Sequence, residues 1–200
     1  MPVEAVVFDI GNVLVEWNPE RFFDIKIGVD RRAALFAEVD LHKMHDGVDR
    51  GGDLGTIVQD CARAHPEWED DILIWRDHWL EMVGPVIEPS VVILRELKAR
   101  RVPVFALTNY GRGTFEMSLP KFPFYEEFDR TYVSGRMGVM KPDAEIYRRV
   151  EEDCGVAAAG LLFTDDRPEN IAAAEARGWQ GHVFDGPDGF RERLVAEGLL

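Results

Sequence analysis

Val6-Val7-Phe8-Asp9-Ile10-Gly11-Asn12-Val13-Leu14-Val15 is the stretch whose reading decides the fold. The run is short, rich in β-branched residues and interrupted by one acid, the pattern of a buried parallel strand that delivers a carboxylate at its C-terminal end. Gly11 and Asn12 are turn residues that let the backbone approach a ligand, and open α/β sheets bind ligands outside the carboxyl ends of their strands. Asp9 therefore stands where chemistry is expected. For this fragment alone, a turn-capping role explains the acid equally well.

Downstream of Pro85 strands and helices alternate. Strands are expected at 102–107, 131–133, 161–164 and 182–184, and helices at 90–100, 114–128, 143–154, 168–177 and 190–197. This alternation implies an α/β fold, a doubly wound, Rossmann-like parallel sheet with helices on both faces. Between the first strand and Gly84 the chain reads differently. Asn18-Pro19-Glu20 starts a helix that Gly28 ends, Asp30 starts another, 42–52 is less regular, and Asp49-Arg50-Gly51-Gly52-Asp53 is a loop leading into a helix over 54–64. After Pro66, Ile72, Trp75, Trp79 and Met82 recur at helical spacing, a stripe expected to be core rather than pocket lining. From Asn18 to Val83 the chain is thus all helix and loop, and it looks like an insertion after the first strand.

Composition narrows the function. With 23 Lys and Arg against 37 Asp and Glu the formal net charge is −14, which disfavours nucleic acid as a partner because phosphate-backbone binding needs clustered cations. An anionic substrate must be held by a few local cations or by a metal. Cys61 and Cys154 lie far apart and imply no disulfide framework. No signal-peptide pattern and no apolar run long enough to span a bilayer is present, so a reducing, cytoplasmic setting without membrane attachment is expected.

Three later strand ends belong beside Asp9: Leu107-Thr108-Asn109, Lys141-Pro142-Asp143 and Phe163-Thr164-Asp165-Asp166. Singly, Thr108 suits a turn, Lys141 a solvated surface, and Asp165-Asp166 the cap of a helix begun by Pro168. Together with Asp9 they supply a nucleophile, a hydroxyl, a fixed cation and paired oxygen ligands, the parts phosphoryl transfer needs.

In order and separation, these four groups resemble the motifs of the haloacid dehalogenase superfamily, and the likeness extends over nearly the whole chain. The resemblance implies a core of residues 1–16 and 85–200 with a small all-helical cap, 17–84, inserted after the first strand. It is nearest to the small capped sugar-phosphatase branch acting on glucose 1-phosphate, which the Asp49-Arg50-Gly51 loop and the run Asp165-Asp166-Arg167-Pro168-Glu169-Asn170 also resemble. The resemblance implies a Mg²⁺-dependent phosphatase of a small phosphorylated metabolite, with Asp9 as the nucleophile that becomes an aspartyl phosphate. Lys141 would hold Asp9 and the phosphate in register. Thr108 and Asn109, with Gly11 and Asn12, would contact the phosphate. Asp9, Asp165, Asp166 and the Gly11 carbonyl would hold Mg²⁺. A monomer or homodimer is expected.

One departure matters. Most phosphatases of this superfamily carry an acid two residues after the nucleophile, and here that position is Gly11. An acid/base group is typically worth ~10²–10⁴ in rate. Without it, turnover should favour acidic leaving groups such as sugar 1-phosphates, unless His42, His45 or Glu16 donates the proton. Two alternatives remain open: a 2-haloacid dehalogenase, which needs no metal, and a catalytically silent member that binds a phosphorylated ligand or a protein.

Overall fold

The computed structural model describes residues 2–200. In chain order the elements are β1 (Ala5–Phe8), β2 (Val15–Trp17), α1 (Pro19–Ile27), α2 (Val29–Glu38), α3 (Leu41–Asp49), α4 (Leu54–Ala64), α5 (Glu69–Asp77) and β3 (Val83–Val86). Then follow α6 (Glu88–Ala99), β4 (Val104–Thr108), α7 (Arg112–Ser118), β5 (Arg130–Val133), α8 (Ser134–Met137), α9 (Ala144–Cys154), β6 (Leu161–Asp165), α10 (Pro168–Glu175), β7 (Gln180–Val183) and α11 (Pro187–Ala196).

Five strands form one parallel sheet in the order β5-β4-β1-β6-β7. β1 is the middle strand: Val6 faces Val104 on one side and Leu162 on the other, and all of β1 is out of reach of solvent. Its side chains alternate between the two faces of the sheet. Val6 and Phe8 join a cluster with Leu94 of α6 and Phe190 of α11. Ala5 and Val7 join another with Tyr147 of α9 and Ile171 of α10. Both faces are thus covered, which is why these strands read as continuous apolar runs. The chain leaves β1 toward β4 and β5, then returns across it to β6 and β7. Its strand order reverses at the C-terminal end of β1, where ligands bind in such sheets.

All five helices α1–α5 lie between β2 and β3, which pair antiparallel with Val15 opposite Val86 and Trp17 opposite Val83. Sequence reading missed this ribbon because Gly84-Pro85 inside β3 looks like a boundary; Pro is tolerated there since a two-stranded ribbon has only edges. Two further expectations are corrected. The segment 42–52 was expected to be irregular, yet α3 is regular over Leu41–Asp49, with the Asp40 carboxylate accepting from the Lys43 N–H and Leu41, His45 and Val48 on its buried side. The Trp79 turn is not a continuation of α5: the helix stops at Asp77, and Trp79–Met82 is a separate 3₁₀ turn. No helix among the described residues is long and apolar enough to cross a membrane.

The helical segment has no core of its own. Phe23, Leu35, Ile72 and Trp75 belong to the same buried cluster as Val6 and Phe8 of the sheet, joined through Trp79, Met82, Tyr110 and Phe115. Trp75 is fully buried and meets Trp17, Phe23 and Phe36 at ring-centroid distances of 6.0, 5.9 and 6.3 Å. Trp75→Ala is expected to cost about 3–5 kcal/mol. Urea unfolding followed by helix circular dichroism and by tryptophan fluorescence should give coincident midpoints; two separated transitions would show that the segment unfolds on its own.

Candidate active site

Asp9 follows β1 directly, Thr108 ends β4, Asp165 ends β6, and Lys141 comes just before α9, so the topology alone brings four chemically active residues to one rim. Lys141 is the centre of the group, with only 1 % exposure. Its Nζ lies 3.0 Å from Asp9 Oδ1 and donates to Asp165 Oδ2 at 2.6 Å and to the Leu107 carbonyl at 2.8 Å. Burial works against the ammonium, but the Asp165 and Asp9 carboxylates outweigh it and hold the charge. A surface role for Lys141 is therefore ruled out.

The two adjacent acids divide the work. Asp165 is fully buried and accepts from the Arg167 N–H (2.8 Å), from Asn170 Nδ2 at both oxygens (2.9 and 3.0 Å) and from Lys141. Asp166 lines the cavity and accepts from Asn12 Nδ2 at 2.9 Å. Asn170 was not singled out from sequence; its signal is its place in the first turn of the helix that Pro168 starts, directly after the acid pair.

Asp9, Asp165 and Asp166 can each point an oxygen at a common place, these atoms lying within 4.8 Å of one another. Burial pushes the Asp9 carboxyl up to about 7, with Lys141 pulling it down and Asp165 and Asp166 adding to the rise. Three clustered carboxylates against one ammonium leave an excess of negative charge, and an all-oxygen donor set fits a hard divalent cation.

Asn12 and Asn109 both lie at the rim, with their side-chain amides spent on protein partners. Asn12 adopts φ 55°, and its Oδ1 accepts from the Trp17 N–H at 2.9 Å, tying the β2 ribbon to Asp166. Asn109 accepts from the Lys141 N–H at 2.8 Å and donates to the Lys141 carbonyl at 3.0 Å, clamping that residue's backbone. Thr108 is buried, and it lines the cavity together with Gly11.

The cavity above Asp9 measures about 150 Å³. Its other walls come from the helical segment and the ribbon: Trp17, His45, Asp46, Asp49 and Trp79. His45 is buried, with Trp75 Nε1 donating to its Nδ1 at 3.2 Å, and burial drives its pKa down to about 3. Of the proton donors suggested by sequence, His45 is thus held neutral. Glu16 pairs with Arg21 and His42 with Glu20, and neither lines this cavity. His42 and His45 turn to different partners and make no metal pair.

Residues 3–178 match the haloacid dehalogenase-like hydrolase family. The chain belongs to that family. It is 28 % identical to the sesquiterpene phosphatase astK of Aspergillus oryzae over 91 % of this chain and 90 % of that protein. Among solved structures it resembles a haloacid dehalogenase family enzyme of Bacteroides thetaiotaomicron, crystallised with magnesium and inorganic phosphate (TM-score 0.72, 21 % identity, 92 % of this chain and 95 % of that one). It also resembles the L-2-haloacid dehalogenase of Xanthobacter autotrophicus (TM-score 0.64, 16 % identity, 97 % and 83 %). A haloacid dehalogenase-like core with a phosphatase relative makes this chain a hydrolase.

The unequal surroundings of the two acids give a direct test. Asp165→Ala leaves the buried Lys141 ammonium short of a partner and is expected to cost about 3–5 kcal/mol. Asp166→Ala removes a carboxylate from an overcrowded acidic cluster and should stay within about 1 kcal/mol of wild type. Equal losses in chemical denaturation would overturn this division.

Proposed function

We propose that this chain is a Mg²⁺-dependent phosphatase that hydrolyses a small phosphate monoester through an aspartyl phosphate on Asp9. The observation that carries this reading is the 3.0 Å contact between Asp9 and the buried Lys141 ammonium, beside Asp166 at the mouth of β1. Lys141 favours the ionised form of Asp9 against its burial and fixes its Oδ1, so one carboxylate oxygen is presented to a phosphorus seated in the cavity. Thr108 gives a hydroxyl donor for a phosphoryl oxygen, and Asn109 keeps Lys141 in place. Asp9, Asp166 and the Gly11 carbonyl are the groups that would hold Mg²⁺, with Asp165 behind them; the ion supplies neutralisation of phosphoryl charge. The magnesium and phosphate complex of the Bacteroides neighbour supports this reading.

The finer reading is a sugar phosphate, a sugar 1-phosphate first: the half-buried Trp17 in the cavity wall offers apolar surface for sugar C–H groups, and the exposed Asp46 an acceptor for hydroxyls. A second reading, an apolar alkyl monophosphate, is favoured by the sesquiterpene phosphatase relative and by the Trp17, Val83, Tyr110 and Met140 wall. A dehalogenase, which needs no metal, would leave Asp166 with its bond to Asn12 but no catalytic task.

A panel of sugar, isoprenoid and aryl monophosphates assayed with Mg²⁺ and with EDTA should show phosphate release only with metal. Asp9→Asn should keep the fold and lose roughly 10⁴-fold or more in kcat. Mg²⁺ at a hundredfold excess over its Kd should stabilise the wild type by about 2.7 kcal/mol and leave Asp166→Ala unchanged. Halide release from 2-chloropropionate with no phosphate release from any ester would sink the phosphatase reading.

A further inference from the structure

We propose that Asp49, at the C-terminal end of α3, is the general acid and base of this site, standing in from the helical segment for the residue that Gly11 replaces. The inference rests on the phosphatase reading. Asp49, from the helical segment, lines the same cavity as Asp9, Asp166 and Lys141 of the sheet's rim, so a phosphate seated on Asp9 shares that cavity with the Asp49 carboxyl.

The protein holds this carboxyl with care and gives it no cation of its own. Its side chain is 13 % exposed, and its Oδ1 is buried without a hydrogen-bond partner among the described residues. His45 Nε2 stands 3.7 Å from Oδ1, beyond hydrogen-bond reach. Both indoles donate into the imidazole, Trp75 Nε1 to Nδ1 at 3.2 Å and Trp79 Nε1 to Nε2 at 3.4 Å. Burial keeps that ring neutral, so it is no ion-pair partner for Asp49. Burial, with the Asp46 carboxylate adding, pushes Asp49 up to about 7, opposed by Lys141 and by the Gly111 N–H. A carboxyl in that range keeps a proton to give and is a fair base once it has given it.

Its backbone is equally fixed. The Ser134 hydroxyl donates to the Asp49 carbonyl at 2.6 Å and accepts from the Tyr110 N–H at 2.9 Å, so one oxygen locks the end of α3 to the loop that follows β4. The approach is too close for side chains. A Cβ on Gly51 would stand 2.8 Å from the Gly135 carbonyl oxygen, and one on Gly111 would stand 2.5 Å from Val48 Cγ1. Only glycines let this turn of the helical segment sit against the rim.

In the first step an Asp9 oxygen bonds to phosphorus as the bond from phosphorus to the leaving oxygen breaks, and the Asp49 proton passes to that oxygen, releasing a neutral alcohol. In the second, Asp49, now a carboxylate, takes a proton from a water whose oxygen bonds to the same phosphorus. The bond from phosphorus to Asp9 breaks, and phosphate leaves with both aspartates in their starting states.

The test is kcat/KM with Mg²⁺ for 2,4-dinitrophenyl, 4-nitrophenyl, phenyl and benzyl phosphate, measured for the wild type, Asp49→Asn and Asp49→Glu. Because 2,4-dinitrophenolate needs no proton to leave, Asp49→Asn should lose less than about 10-fold on it but about 10²–10³-fold on benzyl phosphate. Asp49→Glu should recover part of the benzyl phosphate rate. The wild-type rate on benzyl phosphate should fall as the pH rises through about 7, where the acid gives up its proton, and that limb should vanish in Asp49→Asn. His45, Asp46, Lys141 and Tyr110, which face Asp49, and Asp9 and Asp166 in the same cavity remain in every variant. The rise with pH that accompanies ionisation of Asp9 is therefore common to all of them, and only the falling limb reports Asp49. A loss of the same size on all four esters would mark Asp49 as merely structural, and no loss on any would remove it from the chemistry; both overturn the proposal while leaving the phosphatase reading intact. A wild type that releases phosphate from none of the four, nor from the sugar and isoprenoid monophosphates, would overturn both.

Discussion

The buried ammonium of Lys141 is the point on which the rest of the site depends. It is tied to Asp9 after β1, to the Leu107 carbonyl on β4 and to Asp165 at the end of β6, so one charge holds the ends of three adjacent parallel strands in register. Removing an ammonium from water costs several kcal/mol, and only several well-placed oxygens repay it. The fold supplies them because β1 lies between β4 and β6, and because Asn109 fixes the lysine's backbone from both sides. The arrangement that stabilises the lysine also orients the nucleophile, and so the electrostatics that hold the site together are those that would run its chemistry.

What was legible in the sequence was whatever a strand end dictates locally. Asp9, Thr108 and Asp165-Asp166 stand at or just past the ends of buried apolar runs, and a parallel sheet brings such ends to one rim whatever the details of the helices. Lys141, on a loop, was legible only in company, since nothing in Lys141-Pro142-Asp143 alone separates a buried cation from a surface one. The β2–β3 ribbon was hidden because its strands are short and one holds Gly84-Pro85. α3 was hidden because its polar residues, among them His42, Lys43, Asp46 and Asp49, obscure a buried stripe of Leu41, His45 and Val48. Asp49 was legible only as part of the Asp49-Arg50-Gly51 loop, with no sign of its burial. Its environment is made by Trp75, Ser134 and Gly111, all at least 26 positions away, and no local pattern encodes that meeting.

Asn12 shows how far a small turn can reach. Its left-handed conformation turns the chain after β1, and its amide then bridges the Trp17 backbone and Asp166. The start of the ribbon is thereby fastened to the acid nearest the mouth of the site. Any ligand that draws on Asp166 pulls, through one side chain, on the strand that leads into α1.

The ribbon itself bears on how such a fold can be recombined. Because Trp17 lies opposite Val83, the helical segment begins and ends at neighbouring points and can be exchanged as a cassette without cutting the parallel sheet. The shared core sets a condition on that exchange. Trp79 packs its ring 5.4 Å from Tyr110, and Tyr110 sits 5.4 Å from Phe115, so the contact surface of the cassette lies partly on α7 and the loop before it. A transplanted segment that leaves those aromatics behind brings an exposed apolar face to a mismatched seat. Diversification of this architecture is therefore expected to proceed by co-inheritance of two stretches far apart in the chain, rather than by free shuffling of one.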